Sequence, residues 1–174
     1  MLARVSTLAV LTGVTLTIPT PGGAHFTLGS TGAVRLTAEG RDARYGVIGK
    51  EVNGFPMLSL SLGANNPGGS ILLSQWGDSE PQIGRYPILA DPVPEDGRAF
   101  HASFVAGPPE QPLGWFQGQS GWVRITEVGA GRMAGEFEIR ARGFTREHPE
   151  DERQWVTVRG KFEARAEEVG VAMR

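Results

Sequence analysis

Hydrophobic and polar residues alternate one by one along the C-terminal third of the chain. Residues 132–141 read R-M-A-G-E-F-E-I-R-A and residues 157–166 read T-V-R-G-K-F-E-A-R-A. Each stretch holds a Gly, then Phe two positions on, then a small or aliphatic residue two further on, with charges between. A period of two turns successive side chains to opposite sides, so each stretch predicts an antiparallel strand with one buried face. Met133, Gly135, Phe137, Ile139 and Ala141 share one face, as do Val156, Val158, Gly160, Phe162 and Ala164. Gly135 and Gly160 lie on the apolar side, which predicts a close approach by a ring or a neighbouring strand.

The same reading lays further strands along the chain. His25–Leu28 is short, Ala33–Ala38 and Ala43–Ile48 alternate, and Met57–Leu62 places Leu58, Leu60 and Leu62 together. Ser70–Trp76 carries Ile71, Leu72 and Leu73 in a row, which predicts a strand covered on both sides or a bulge. Tyr86–Leu89, Arg98–Ala106 and Gly121–Val128 follow, and Gly129-Ala130-Gly131 links the last of these to Arg132–Arg142 as a hairpin. Gly107–Ser120 reads as the longest irregular stretch, and Thr145–Arg153 as a charged loop before the final strand, Gln154–Ala166. No helical period is sustained after the N-terminal segment. Short connections make neighbours pair antiparallel, and a lone sheet would leave an apolar face wet. The expected class is all-β: an antiparallel β-sandwich or flattened β-barrel of roughly nine strands.

Length and composition set bounds on this picture. The 174 residues and 40% hydrophobic content suffice for one domain with a real core. The 25 Gly and 12 Pro are spread between apolar runs, which suits many short strands and turns. A net charge of −2 with interspersed signs offers no basic stripe, so no nucleic-acid partner is expected. The lack of Cys excludes disulfides and thiolate metal sites. At the N-terminus Arg4 precedes an apolar, Thr-laced run over Val5–Ile18, followed by Pro19, Pro21 and Gly22-Gly23-Ala24. That order describes a signal peptide over residues 1–24, too short for a membrane span, with a single β-domain over 25–174. The same run could also serve as strands. The expected location is secreted or periplasmic.

The succession G-W-V-R-I-T from Gly121, R-M-A-G-E-F from Arg132 and V-T-V-R-G-K-F from Val156 resembles the C-terminal part of uncharacterised exported β-rich proteins of environmental bacteria. The S-I-L-L-S and I-G-R-Y-P-I segments fit the same pattern, so the resemblance covers Ala33–Ala166. It rests on turn glycines and core aromatics. It implies an exported or envelope-associated β-domain and brings no activity and no catalytic residue. The serine or threonine that such proteins carry after the motif glycine is Glu136 or Lys161 here.

No residue pattern announces catalysis. His25, His101 and His148 form no metal-binding pair, and His101 is expected to face outward between Phe100 and Ala102. The acidic loops at Asp91–Asp96 and His148–Glu152 read as solvated turns, with a calcium site at Asp91, Glu95 and Asp96 or a metal at His148–Glu152 as the alternative, and no cofactor or metal is expected. Gly118-Gln119-Ser120-Gly121 is one residue short of a nucleophile elbow. One cluster suits binding: Trp115, Phe116 and Trp122 around Gln117 and Gln119. Aromatic faces beside amides match the apolar C–H faces and hydroxyl edges of sugars, although such rings equally cap cores. Trp122 and Trp155 fall on outward positions and could pack on each other. The function expected is therefore an exported, non-enzymatic β-domain with a structural or interaction role in the cell envelope, its partner a glycan or an envelope protein. The alternative is a small-ligand binder, either a carbohydrate-binding module or a lipocalin-like carrier. A hydrolase using loop carboxylates is the third reading.

Overall fold

The computed structural model describes residues 23–48, 56–93 and 98–167. The expected signal segment therefore lies outside the described residues except for Gly23 and Ala24, and part of the Asp91–Asp96 loop lies outside them as well. Ten strands are described: β1 (His25–Gly32), β2 (Leu36–Gly40), β3 (Ala43–Ile48), β4 (Met57–Leu62), β5 (Gly69–Trp76), β6 (Gly84–Pro87), β7 (His101–Ala106), β8 (Gly114–Gly129), β9 (Arg132–Thr145) and β10 (Gln154–Ala166). There is no helix among the described residues.

Seven strands close into a barrel in the order β3-β4-β5-β7-β8-β9-β10, leaving β1, β2 and β6 as additions. Of the two architectures left open by the sequence, the chain takes the barrel. The closing joint is short and parallel: Arg165 and Ala166 of β10 pair with Arg44 and Tyr45 of β3. The Glu167 amide donates to the Tyr45 carbonyl at 2.8 Å, and the Arg44 guanidinium meets the Glu167 carboxylate at 3.0 Å. Elsewhere along its length β10 pairs with β1, from Gly32 opposite Val156 to His25 opposite Glu163. The β1–β2 hairpin then folds over the β4–β5 turn. Asn66 Nδ2 donates to the Glu39 carbonyl at 2.8 Å, while a side chain at Gly63 would run into the Phe26 ring. That contact explains why this turn needs a glycine.

The interior is filled. Leu58, Leu60 and Leu62 from β4, Ile71 and Leu73 from β5, Phe104 from β7, Phe137 and Ile139 from β9, and Val158 and Phe162 from β10 are all buried. Every position assigned to the apolar faces of β9 and β10 points inward, and the two glycines serve their rings reciprocally. Gly160 lies opposite Phe137 and Gly135 opposite Phe162. A β-carbon on Gly160 would sit 2.5 Å from Phe137 Cζ, and one on Gly135 2.8 Å from Phe162 Cζ. Each phenyl ring thus lies across the strand over the space its facing glycine leaves free.

Several expectations are corrected. β1 runs on to Gly32, and the chain turns through Ala33–Arg35 where a strand was expected, because β10 offers partners for the whole of β1. Leu72 is neither covered on both sides nor bulged. It points outward and is 42% exposed, between inward Ile71 and Leu73. The largest correction falls on the stretch read as irregular, since β8 already begins at Gly114. Both β7 and β9 pair with Gly114–Gln117, so the backbone groups there are satisfied by neighbours that the local sequence does not reveal.

Candidate functional site

The register of β8 decides where its aromatic residues point. Gly114, Phe116 and Gly118 are buried, and so are Val123 and Ile125. Even positions face inward as far as Gly118 and odd positions at Val123 and Ile125, before a second register shift returns Val128 to the core side. The change of phase lies at a bulge between Gly118 and Ser120, where Gln119 has no partner on β9. Trp115 and Trp122 stand seven positions apart, and strict alternation would put them on opposite faces. The bulge turns both outward.

The bulge does not bring them together. Seven residues of strand span roughly 20 Å. Trp115 pairs across to Phe144 of β9, and Trp122 to Glu138 of β9 and Pro87 of β6. The Arg85 guanidinium lies over the Trp122 ring at 4.7 Å, a cation–π contact. Trp155 does not pack on Trp122: its ring carries the Arg140 guanidinium at 4.5 Å. The expected five-residue cluster is thereby divided. Phe116 points into the barrel, buried and stacked on Phe104 with ring centroids 6.0 Å apart. Trp115, Gln117 and Gln119 remain together on the outside.

These three residues line an open groove of about 560 Å³ across the outer face of β7, β8 and β9. One wall is aromatic. Trp115 is 42% exposed and leans on Phe144, with centroids 5.3 Å apart and ring planes inclined by 36°. The floor is polar: His101 and Ser103 from β7, Gln117 and Gln119 from β8, and Arg142 from β9, with Glu152 at the rim. Gln117 Nε2 lies 3.1 Å from His101 Nε2, and Gln119 Nε2 donates to the Gln117 carbonyl at 3.3 Å. Arg142 Nε donates to the Glu152 backbone carbonyl at 3.1 Å, which anchors the guanidinium against the β9–β10 loop. Nearby, the Asp151 carboxylate accepts from the Arg153 side chain and backbone, and Arg153 holds it below the ordinary carboxylate range.

Sequence reasoning did not single out Phe144, Arg142 or Ser103 for this groove. The available signal was their period-two spacing from inward residues, which gives the face of the sheet but not the neighbours across it. His101 does face outward as expected, yet it is half-buried beneath the amides. Desolvation holds its imidazole below the ordinary value of 6.5, and the Asp91 charge acts in the opposite direction. The unfolded chain therefore binds a proton at His101 more readily than the folded one. Stability from this residue is complete above pH 6.5 and is lost as pH falls towards the folded value. Thermal melts at stepped pH check this: His101→Gln is expected to flatten the decline below pH 6.5. An unchanged slope would show that another group carries it.

At the end of the barrel near β6, the Tyr45 hydroxyl donates to the Glu80 carboxylate at 2.7 Å. Burial, reinforced by that acceptor, pushes the phenol far above its ordinary range. The outward carboxylates of β9 and β10 are engaged with arginines: Glu136 with Arg124, Glu138 with Arg159 and Glu163 with Arg132. Among the described residues no cluster of three or more His, Asp or Glu side chains could hold a metal ion, and no helix is long and apolar enough to cross a membrane. Comparison of the chain with protein-family models, with curated proteins and with solved structures finds no match.

Proposed function

We propose that this chain is an exported, non-enzymatic binding domain that recognises a glycan of the cell envelope through the Trp115 groove. The observation that carries the reading is the exposed Trp115 ring, inclined against the half-buried Phe144, beside a floor of amide side chains. A sugar ring presents an apolar face to such a wall and hydroxyls to Gln117 and Gln119.

Other observations bear on the alternatives. A carrier of apolar molecules needs an internal cavity of several hundred Å³, whereas phenylalanine and leucine side chains occupy this barrel's interior. A hydrolase using loop carboxylates needs them to converge on a cleft, whereas Asp151 is committed to Arg153 and Gln154, and Glu152 is the one carboxylate that lines the groove. Export is supported by residues 1–24 of the sequence. β1 begins at His25, so cleavage after Ala24 would leave every described strand whole.

Tryptophan fluorescence titrated against panels of soluble glycans and fatty acids tests the reading. Saturable change with a glycan, and none with fatty acids, is expected. Trp115→Ala should weaken that binding about tenfold, equivalent to ~1.4 kcal/mol, with little change in melting temperature because the ring is 42% exposed. A flat response across the glycan panel would remove the proposal.

A further inference from the structure

The outer face of β8, β9 and β10 carries more guanidinium groups than its carboxylates engage. Arg124, Arg159 and Arg132 each have a glutamate partner, at 3.6, 2.7 and 3.0 Å. Arg140 and Arg142 do not: among the described residues neither has a carboxylate oxygen within 4.0 Å of its guanidinium. Arg140 lies on the Trp155 ring, and Arg142 donates to a backbone carbonyl. The two follow each other at outward positions of β9, and Arg142 sits between Gln117 of β8 and Trp155 of β10 in one cross-strand row. This row continues the groove floor towards β10. Both guanidinium groups keep N–H donors for an incoming anion, in a chain whose net charge is −2.

Resting on the glycan reading, we infer that the ligand is an acidic polysaccharide whose carboxylates are received by Arg142 and Arg140, with its rings against Trp115 and Phe144. A guanidinium presents paired N–H donors that match a carboxylate, and a neutral sugar has no use for the charge. Arg142 and Arg140 are held in place before the ligand arrives, one by the Glu152 carbonyl and the other by the Trp155 ring. The Glu152 side chain at the rim carries the opposing charge. The Asp151 carboxylate is already committed to Arg153 and Gln154.

The test compares polygalacturonate with its methyl ester, the same backbone without the charge, by isothermal titration of the full chain at low salt. Tighter binding of the acid form, by about tenfold or more and falling as salt is added, is expected. In Arg140→Gln/Arg142→Gln the ratio of the two affinities should drop towards unity. Arg124→Gln, outside the row and paired with Glu136, should leave the ratio as it was and controls for bulk charge. Glu152→Gln should raise it. Equal affinity for the two polymers, or a ratio that survives the double substitution, overturns the inference while leaving the glycan reading in place. Binding to neither polymer overturns the inference, and the glycan reading then falls only if the wider glycan panel is flat as well.

Discussion

Gly160→Val is expected to cost about 3 kcal/mol or more, against less than ~0.5 kcal/mol for Lys161→Val one position along. In a chain of this length that difference is roughly 5–10 °C in melting temperature. The cause is space. Gly160 lies on the inward face of β10 with the Phe137 ring above it, and its β-carbon would stand 2.5 Å from Phe137 Cζ. It would also overlap the backbone carbonyl of Thr27 on β1. The ring could be displaced only into a filled interior, and the carbonyl belongs to a paired strand. Lys161 points to water, so a valine there meets nothing. Phe137→Leu should recover part of the loss, since it withdraws the ring but not the Thr27 carbonyl. Thermal denaturation of the three variants decides the matter; equal melting points for the Gly160 and Lys161 variants would mean that the ring does not use that space.

Gly121→Ala is expected to cost about 2–4 kcal/mol, from backbone strain and overlap together. Gly121 has a φ of +137°, a conformation that side chains rarely tolerate, and its β-carbon would overlap the Glu138 carbonyl on β9. Gly129→Ala separates the two causes. Gly129 has a φ of +143°, but a β-carbon there meets nothing within 4 Å. Its substitution should therefore show the strain alone, and the surplus at Gly121 measures the overlap. Because Gly121 adjoins the bulge at Gln119, the loss bears on the proposed groove too. That bulge sets the phase of β8 and turns both Trp115 and Trp122 outward. Urea denaturation of both variants gives the comparison, and similar costs would show that the Glu138 carbonyl moves aside freely.

The fate of particular residues shows which features were legible in the sequence. Alternation is a local property, and it places Phe137 and Phe162 inward without reference to any other strand. An amphipathic strand must bury its apolar face whatever its neighbours are. The β8–β9 hairpin is legible from Gly129-Ala130-Gly131 between two alternating runs, and in the structure Ala130 and Gly131 take the positive φ demanded of a two-residue turn between twisted strands. Gln117 and Gln119 announce their chemistry in the sequence, but the local pattern around them reads as a loop and the structure makes it a strand. Glycine and glutamine weaken the apolar signal, while the partners that make Gly114–Ser120 a strand come from β7 and β9. Phe116 and Trp122 are close to Trp115 along the chain but do not share its place on the outer face. Alternation sends Phe116 inward, and strand length carries Trp122 away.

From the order of its side chains alone, this chain determines that it is all-β, which faces of its last two strands are buried, and that Gly135 and Gly160 make room for something. These follow from local sterics and from the cost of leaving apolar surface in water. Tertiary structure alone decides that β10 closes on β3, that Arg85 and Arg140 cover Trp122 and Trp155, and that Arg142 and Phe144 join Trp115 in one groove. Such contacts depend on register between strands distant in sequence, and a single bulged residue is enough to change which side chains share a face.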